Sequence, residues 1–154
     1  MELTDLVAPE CVFPVLKATS KKNLLQELSH KAADVVGVEC RELFGALLER
    51  ERLGSTAMGR GVAIPHCRLS GVDRIRGLVA RLETPIEFDA VDDEPVDLVF
   101  LLVAPEAAGS DHLKALASVS RLTRDPNALS GLRGAKDAAA IYALLSSASR
   151  SEAA

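Results

Sequence analysis

Val96-Asp-Leu-Val-Phe-Leu-Leu-Val103 is the stretch that decides the fold, and it lies between Pro95 and Pro105. Seven of its eight residues are apolar, and they follow one another without alternation. A short apolar run of this kind, rich in Val and Leu and bounded by prolines, predicts a strand that is buried on both faces. Gly77–Leu82 has a similar composition and predicts a second strand.

Apolar residues on either side of these strands recur with the period of a helix. The first predicted helix carries Leu24, Leu25, Leu28, Ala32 and Val35, with Ser20 or Asn23 as a possible cap and Gly37 as its end. A second carries Leu43, Phe44, Leu47 and Leu48 and ends near Gly54. Three more are predicted from Ser110 or Asp111 to before Pro126, near Ala128–Leu132 and near Asp137–Leu145. Interspersed helices and strands predict an α/β fold, bordering on α+β, whose sheet is covered by helices.

Size and composition restrict the class of protein. A chain of 154 residues that is 48% hydrophobic fits one domain, for which we predict residues 1–148 with a flexible tail at 149–154. The net charge of -4 predicts no nucleic-acid partner. The longest apolar run, Leu98–Ala104, is too short for membrane insertion. Three cysteines without a C-x-x-C spacing and a start without a signal peptide predict a cytoplasmic protein.

Positive charge is concentrated between Arg50 and Arg81, where seven arginines stand against two acidic residues. That segment carries a charge of +5 and leaves -9 for the rest of the chain. Two interpretations stay open at this point. The arginines could be solvated loop residues, or they could form an electropositive patch that meets phosphate or an acidic partner.

Arg50 and the glycine-rich stretch that follows it could together hold an anion. Arg50 shares a helical face with Leu43 and Leu47, so its guanidinium either needs an anionic partner or extends to solvent from a packed stem. In Gly54–Gly61, small residues would let backbone N–H groups approach an anion, and Ser55 and Thr56 would add hydroxyl donors. The stretch is not a Walker loop, and a flexible connector is the alternative.

Two histidines are candidates for chemistry. His66 follows Pro65 at the end of a short predicted strand, where a rigidly held ring could act as a nucleophile. His112 falls in the first turn of a predicted helix, whose positive end favours a neutral ring and an anion nearby. The alternatives are an ordinary loop histidine and a structural cap. No pair of histidines has a chelating spacing, so we predict no metal site.

Three blocks of sequence resemble a known family. Arg50–His66 reads R-E-R-L-G-S-T-A-M-G-R-G-V-A-I-P-H and strongly resembles the active-site signature of enzyme IIA proteins. These belong to the bacterial phosphoenolpyruvate-dependent phosphotransferase system, fructose/mannitol class. Thr84–Pro105 and Asp111–Leu116 resemble the second and third blocks, and the similarity runs from about Leu3 to about Leu145. Within the family, the chain is most similar to the stand-alone nitrogen-regulatory branch.

The resemblance implies a mixed sheet of about five strands flanked by helices on both faces. It also implies a phosphotransferase component that forms a phosphohistidine intermediate on Nε2 of His66, without any cofactor. Arg50 and His112 would assist the transfer, and Ser55 and Thr56 would bind the phosphoryl oxygens.

The partners follow from the same resemblance. The donor would be a histidine phosphocarrier protein. The phosphorylation state would regulate target proteins such as potassium-transport or sensor proteins. The alternatives are a sugar-specific IIA component that passes phosphate to a permease IIB domain, and a binding module that has lost the chemistry.

Two residues depart from the family pattern. Ala57 stands where glycine is usual, which predicts strain if that position needs a positive φ. Cys67 follows the active histidine where a small residue is usual. We hypothesise that oxidation of Cys67 would hinder phosphorylation.

Overall fold

The computed structural model describes the backbone of residues 1–153 and the side chains of residues 1–148. The helices and strands of the described chain follow one another in the order α1 (Leu3–Leu6), β1 (Val7–Leu16), α2 (Lys21–Val36), α3 (Cys40–Arg52), β2 (Ala57–Gly59), β3 (Val62–Ala63), β4 (His66–Leu69), β5 (Arg76–Ile86), β6 (Val96–Pro105), α4 (Ser110–Thr123), α5 (Pro126–Gly134) and α6 (Ala138–Ala153). None of these helices is both long and apolar enough to cross a membrane.

The strands form one mixed sheet in the order β1-β5-β6-β3-β2, with β4 also paired to β6. β1 runs parallel to β5, and β5 runs antiparallel to β6. β3 and β4 pair with β6 in one continuous parallel register, since Ala63 lies opposite Val99 and His66 opposite Leu102. They therefore act as one strand interrupted at Ile64 and Pro65, and the predicted mixed sheet of about five strands is confirmed.

β6 is the centre of this sheet. Every residue from Leu98 to Ala104 is at most 1% exposed, so both faces of the strand are covered by other elements. This confirms the buried strand predicted from the apolar run, and with it the α/β class with helices over the sheet. The other predicted strand, Gly77–Leu82, lies in the first part of the longer strand β5, which continues to Ile86.

Helix ends follow the local signals. The Ser20 hydroxyl accepts a hydrogen bond from the Asn23 amide at 3.1 Å, so Ser20 is the cap of α2. Gly37 ends that helix in the left-handed region at a φ of 83°, which costs glycine little. Pro126 takes the first position of α5, where its missing N–H is not needed. The flexible tail predicted at 149–154 involves side chains outside the described residues, and it stays a prediction.

Three strands were not predicted, and one of them, β2 (Ala57–Gly59), lies within the glycine-rich stretch that was interpreted as an anion-binding loop or a flexible connector. β1 contains Pro9 and Pro14, and proline has no N–H group to donate to a neighbouring strand. Their presence therefore argued against a strand in this part of the sequence. The strand is nevertheless possible because β1 is the edge of the sheet and pairs only with β5. β4 was missed because His66 was expected to end a strand, whereas the structure continues the strand from His66 to Leu69.

Candidate active site

His66 is held at the start of β4 as a neutral ring. Its Nδ1 lies 2.7 Å from the Ile64 carbonyl oxygen. Because a carbonyl only accepts, Nδ1 carries the proton and Nε2 is left with a lone pair that can accept a hydrogen bond. Burial lowers the pKa of His66 below its usual value, and the Arg50 cation lowers it further, against the opposing effect of the Ile64 hydrogen bond. The ring is therefore uncharged at neutral pH.

Arg50 lies in the last turn of α3 and contacts the ring of His66. Its Nε donates to His66 Nε2 at 3.3 Å, and its Nη1 donates to the Gly54 carbonyl at 3.0 Å. Leu43 and Leu47, on the same helical face, are fully buried. These bonds use two of the five N–H donors of a guanidinium, so Arg50 keeps donors for an anion bound at His66.

His112 lies directly against His66. The two ring centroids are 5.3 Å apart, and the planes meet edge to face at 70°. The side chain is buried in the first turn of α4, and its Nδ1 accepts a hydrogen bond from Arg68 Nε at 3.0 Å. Burial lowers the pKa of His112 to about 4, with His66 and Arg68 acting in the same direction. His112 is thus also neutral, as its place at a helix start predicted.

Ser55 ties the glycine-rich loop to the loop before β6. Its hydroxyl donates to the Phe88 carbonyl at 2.7 Å and accepts from the Ala57 amide at 3.2 Å. An open pocket of about 420 Å³ is lined by Ser55 together with Arg50 and His66. Ser55 therefore lies beside His66, and its hydroxyl proton is already donated to the Phe88 carbonyl.

Thr56 is held in a similar way by a buried carboxylate. Its hydroxyl and its amide both donate to Glu51, which is 8% exposed. Lys21 pairs with the same carboxylate at 3.0 Å. Thr56 also lines the pocket, but in this arrangement it holds the loop. That Ser55 and Thr56 contact a phosphoryl group stays a prediction.

Arg68, Ser120 and Arg124 belong to the site but were not predicted. Arg68 is two residues after His66, so both side chains lie on one face of β4. A spacing of two residues indicates a shared face only within a strand, and no strand was predicted at His66–Leu69. Ser120 lines the pocket from α4, and Arg124 lines it from the position directly after that helix. Their spacing of four and eight residues from Leu116, another lining residue, places them on one helical face.

The two departures from the family pattern have no visible cost. Burial raises the pKa of Cys67 to about 12, so its thiol stays protonated and unreactive. This gives no support to the proposed effect of oxidation. Ala57 is part of β2, and the positive φ angles of this turn fall at Gly59, Arg60 and Gly61 instead (88°, 57° and 78°). The strain considered for Ala57 is therefore absent.

The arginine-rich segment serves two purposes. Arg50 and Arg68 donate to the two histidines, whereas Arg81 donates to backbone carbonyls of Pro14 and Ala135 and joins β5 to distant parts of the chain. Arg50, Arg68 and Arg81 are therefore not freely solvated loop residues, and the electropositive patch stays a prediction. Among the described residues, no three His, Cys, Asp or Glu side chains are grouped so that they could hold a metal ion.

The lowered pKa of His112 predicts a loss of stability in acid. Unfolding restores the ordinary pKa of 6.5 to this ring. Between pH 6.5 and about 4, the ring of His112 is therefore protonated in the unfolded chain but neutral in the folded protein, and this difference favours unfolding. From pH 7 to pH 4.5 this ring should remove about 2 kcal/mol of the free energy of unfolding. Urea unfolding of the protein and of His112→Gln at both pH values measures it. Equal losses in the two proteins would contradict the prediction.

Comparison with known proteins places this site in a family. The model of the phosphoenolpyruvate-dependent sugar phosphotransferase system, EIIA 2, matches residues 5–148. A nitrogen regulatory protein of Bradyrhizobium diazoefficiens is 57% identical over 145 residues, which cover 94% of this chain and 95% of the relative. A fructose-specific EIIA component of Haloferax volcanii is 35% identical over 79% of this chain and 81% of its own length.

A solved structure agrees with the sequence comparison. The crystal structure of nitrogen regulatory protein IIA-Ntr from Neisseria meningitidis matches with a TM-score of 0.89 at 31% identity. The match covers 93% of this chain and 98% of that one. By sequence and by fold, this chain belongs to the EIIA 2 family of the phosphoenolpyruvate-dependent sugar phosphotransferase system.

Proposed function

We propose that His66 accepts a phosphoryl group on Nε2 from a histidine phosphocarrier protein, and that its phosphorylation state controls binding to regulatory targets. The observation that carries the proposal is the tautomer of His66. The Ile64 carbonyl holds the proton on Nδ1, and Nε2 presents its lone pair beside the guanidinium of Arg50. A neutral imidazole positioned in this way is prepared for nucleophilic attack without a separate base.

The transfer step needs no metal and no proton movement in this protein. The Nε2 lone pair forms a bond to the phosphorus atom, while the bond between phosphorus and the carrier's histidine breaks and its electron pair returns to that ring. His66 keeps its proton on Nδ1 throughout. Phosphoryl transfer depends chiefly on position and on stabilisation of charge, and Arg50 supplies a cation that does not titrate. Its Nε, which now donates to Nε2, becomes available to a phosphoryl oxygen once Nε2 is occupied.

Phosphorylation would change the surface strongly. The phosphoryl oxygens carry about two negative charges, and the ring that keeps its Nδ1 proton carries one positive charge, so the side chain changes from neutral to a net charge of about -1. A charge-assisted hydrogen bond contributes roughly 1.5–3 kcal/mol, so gaining or losing one or two changes partner binding by roughly tenfold to ten-thousandfold. Potassium-transport or sensor proteins are the class of target that we propose. The similarity to nitrogen regulatory proteins supports regulation as the output.

A sugar-specific role is the second candidate, and the similarity to a fructose-specific EIIA component favours it. The chemistry at His66 would be the same, but the phosphoryl group would pass on to a permease IIB domain. The higher identity to a nitrogen regulatory protein makes regulation the first choice.

Reconstitution tests both roles. The protein is incubated with phosphoenolpyruvate, the first enzyme of the system and a histidine phosphocarrier, and its intact mass is then measured. We expect the mass of one acid-labile phosphoryl group to be added, and no gain would refute the proposal. A fructose-type IIB domain is then added. Retention of the phosphoryl group supports the regulatory role, and rapid loss to IIB supports sugar transport.

A further inference from the structure

We propose that Arg68 is a positioning residue for this reaction, because it holds His112 in the tautomer that donates a hydrogen bond from Nε2 to the phosphoryl group. The inference rests on the proposed function, since it assumes that His66 becomes phosphorylated. Arg68 itself need not touch the phosphoryl group. Its effect would pass through the ring of His112.

The hydrogen bond between the two residues fixes the proton of His112. Arg68 Nε lies 3.0 Å from His112 Nδ1, and a guanidinium can only donate. Nδ1 must therefore accept, and in a neutral ring the proton must be on Nε2. The other tautomer would place an N–H of the ring against an N–H of Arg68.

The proton on Nε2 has no acceptor in the unphosphorylated protein. Among the described residues, His112 Nε2 is buried without a hydrogen-bond partner, and the whole residue is 7% exposed. A buried donor without an acceptor is rare and costly, so it calls for an explanation. A phosphoryl group on the neighbouring ring, whose centroid is 5.3 Å away, would supply the missing acceptor.

The fold explains why Arg68 can do this. Arg68 and His66 lie on one face of β4, and His112 lies in the first turn of α4. Arg68 also donates from Nη2 to the carbonyl of Gly109, the N-cap of α4, at 3.5 Å. The guanidinium therefore joins the strand that carries the nucleophile to the helix that carries the donor. It sets their relative position as well as the tautomer.

The two rings are held in opposite tautomers. Ile64 keeps the proton of His66 on Nδ1, which frees the Nε2 lone pair for attack. Arg68 keeps the proton of His112 on Nε2, which leaves a donor for the product. One ring is prepared as the nucleophile and the other as the hydrogen-bond donor, and a different backbone or side-chain group determines each state.

The tautomer can be read directly in the unphosphorylated protein by long-range ¹H–¹⁵N NMR of labelled histidine. We expect His112 to be protonated on Nε2 in the wild-type protein and in the control Arg74→Met, which changes an exposed arginine of the same segment. Arg68→Glu replaces the donor with an acceptor and should move the proton to Nδ1. An unchanged His112 tautomer in Arg68→Glu would overturn the proposal.

Transfer rates test the consequence. Arg68→Met, which keeps the stem and removes the donors, should slow phosphoryl transfer about tenfold, the effect of about one hydrogen bond. In a His112→Ala background the same change should cost nothing further, because the effect passes through His112. Losses that multiply instead would show that Arg68 acts on the phosphoryl group itself and would overturn the positioning role. Should the wild-type protein accept no phosphoryl group, the proposed function fails, while the NMR result still decides the tautomer.

Discussion

His66→Ala is expected to abolish phosphorylation by the phosphocarrier completely. The chain has three histidines, and the other two cannot replace His66. His112 is 7% exposed and its Nε2 is buried, so the ring offers a donor protein little access, whereas His66 is half-buried and lines an open pocket. His30 is exposed on α2, and its Nδ1 lies 3.4 Å from the Cys40 thiol, whereas Arg50 donates to His66. Intact-mass measurement after incubation with the donor proteins would detect the loss.

His30→Gln is the matched control for this result. It removes a histidine from the surface and leaves the site intact, so its phosphorylation should equal that of the wild-type protein. A mass gain of one phosphoryl group in His66→Ala would contradict the assignment of the nucleophile. Reduced labelling of His30→Gln would point to a second acceptor instead.

Arg50→Ala is expected to slow transfer about a hundredfold or more while the domain stays folded. Each charge-assisted hydrogen bond contributes about 1.5–3 kcal/mol, and about 1.4 kcal/mol corresponds to a factor of ten in rate. Arg50 now contacts the attacking nitrogen and would contact the phosphoryl group that replaces its lone pair. Its other partner, the Gly54 carbonyl, is exposed and can be hydrated, so little stability depends on it.

The neighbouring arginine provides the control for Arg50. Arg52 is two residues further along α3, is exposed and pairs with Glu49, so Arg52→Ala should transfer at the normal rate. Arg50→Lys should recover only part of the rate, because an ammonium lacks the fork of a guanidinium. Rapid-quench labelling measures the rates of phosphoryl transfer, and urea unfolding measures the free energy of unfolding. Unfolding of Arg50→Ala at much lower urea would show instead that Arg50 serves the fold.

Much of the fold could be predicted because its signals are local. The apolar run at Val96–Val103 predicted a strand whose two faces are covered, and it became the centre of the sheet. Ser20 and Gly37 marked the ends of a helix through backbone chemistry that needs no distant partner. By contrast, β1 and β4 exist because of their neighbours in the sheet. Proline at an edge, and a strand that continues past His66, give little signal within the sequence.

The same distinction between local signals and tertiary contacts applies to the candidate site. The sequence by itself singled out Arg50, His66 and His112 as candidates, since the spacing and the motif around His66 are local and the resemblance supplied the proposed roles. Only the tertiary structure decided the tautomers, since these depend on which groups meet across the sheet. It paired Arg68 with His112 across 44 residues of chain, and it bound the hydroxyls of Ser55 and Thr56 to Phe88 and Glu51. The type of a residue determines which chemistry its side chain can do. Which nitrogen of a histidine ring carries the proton is determined by the group that lies against that nitrogen.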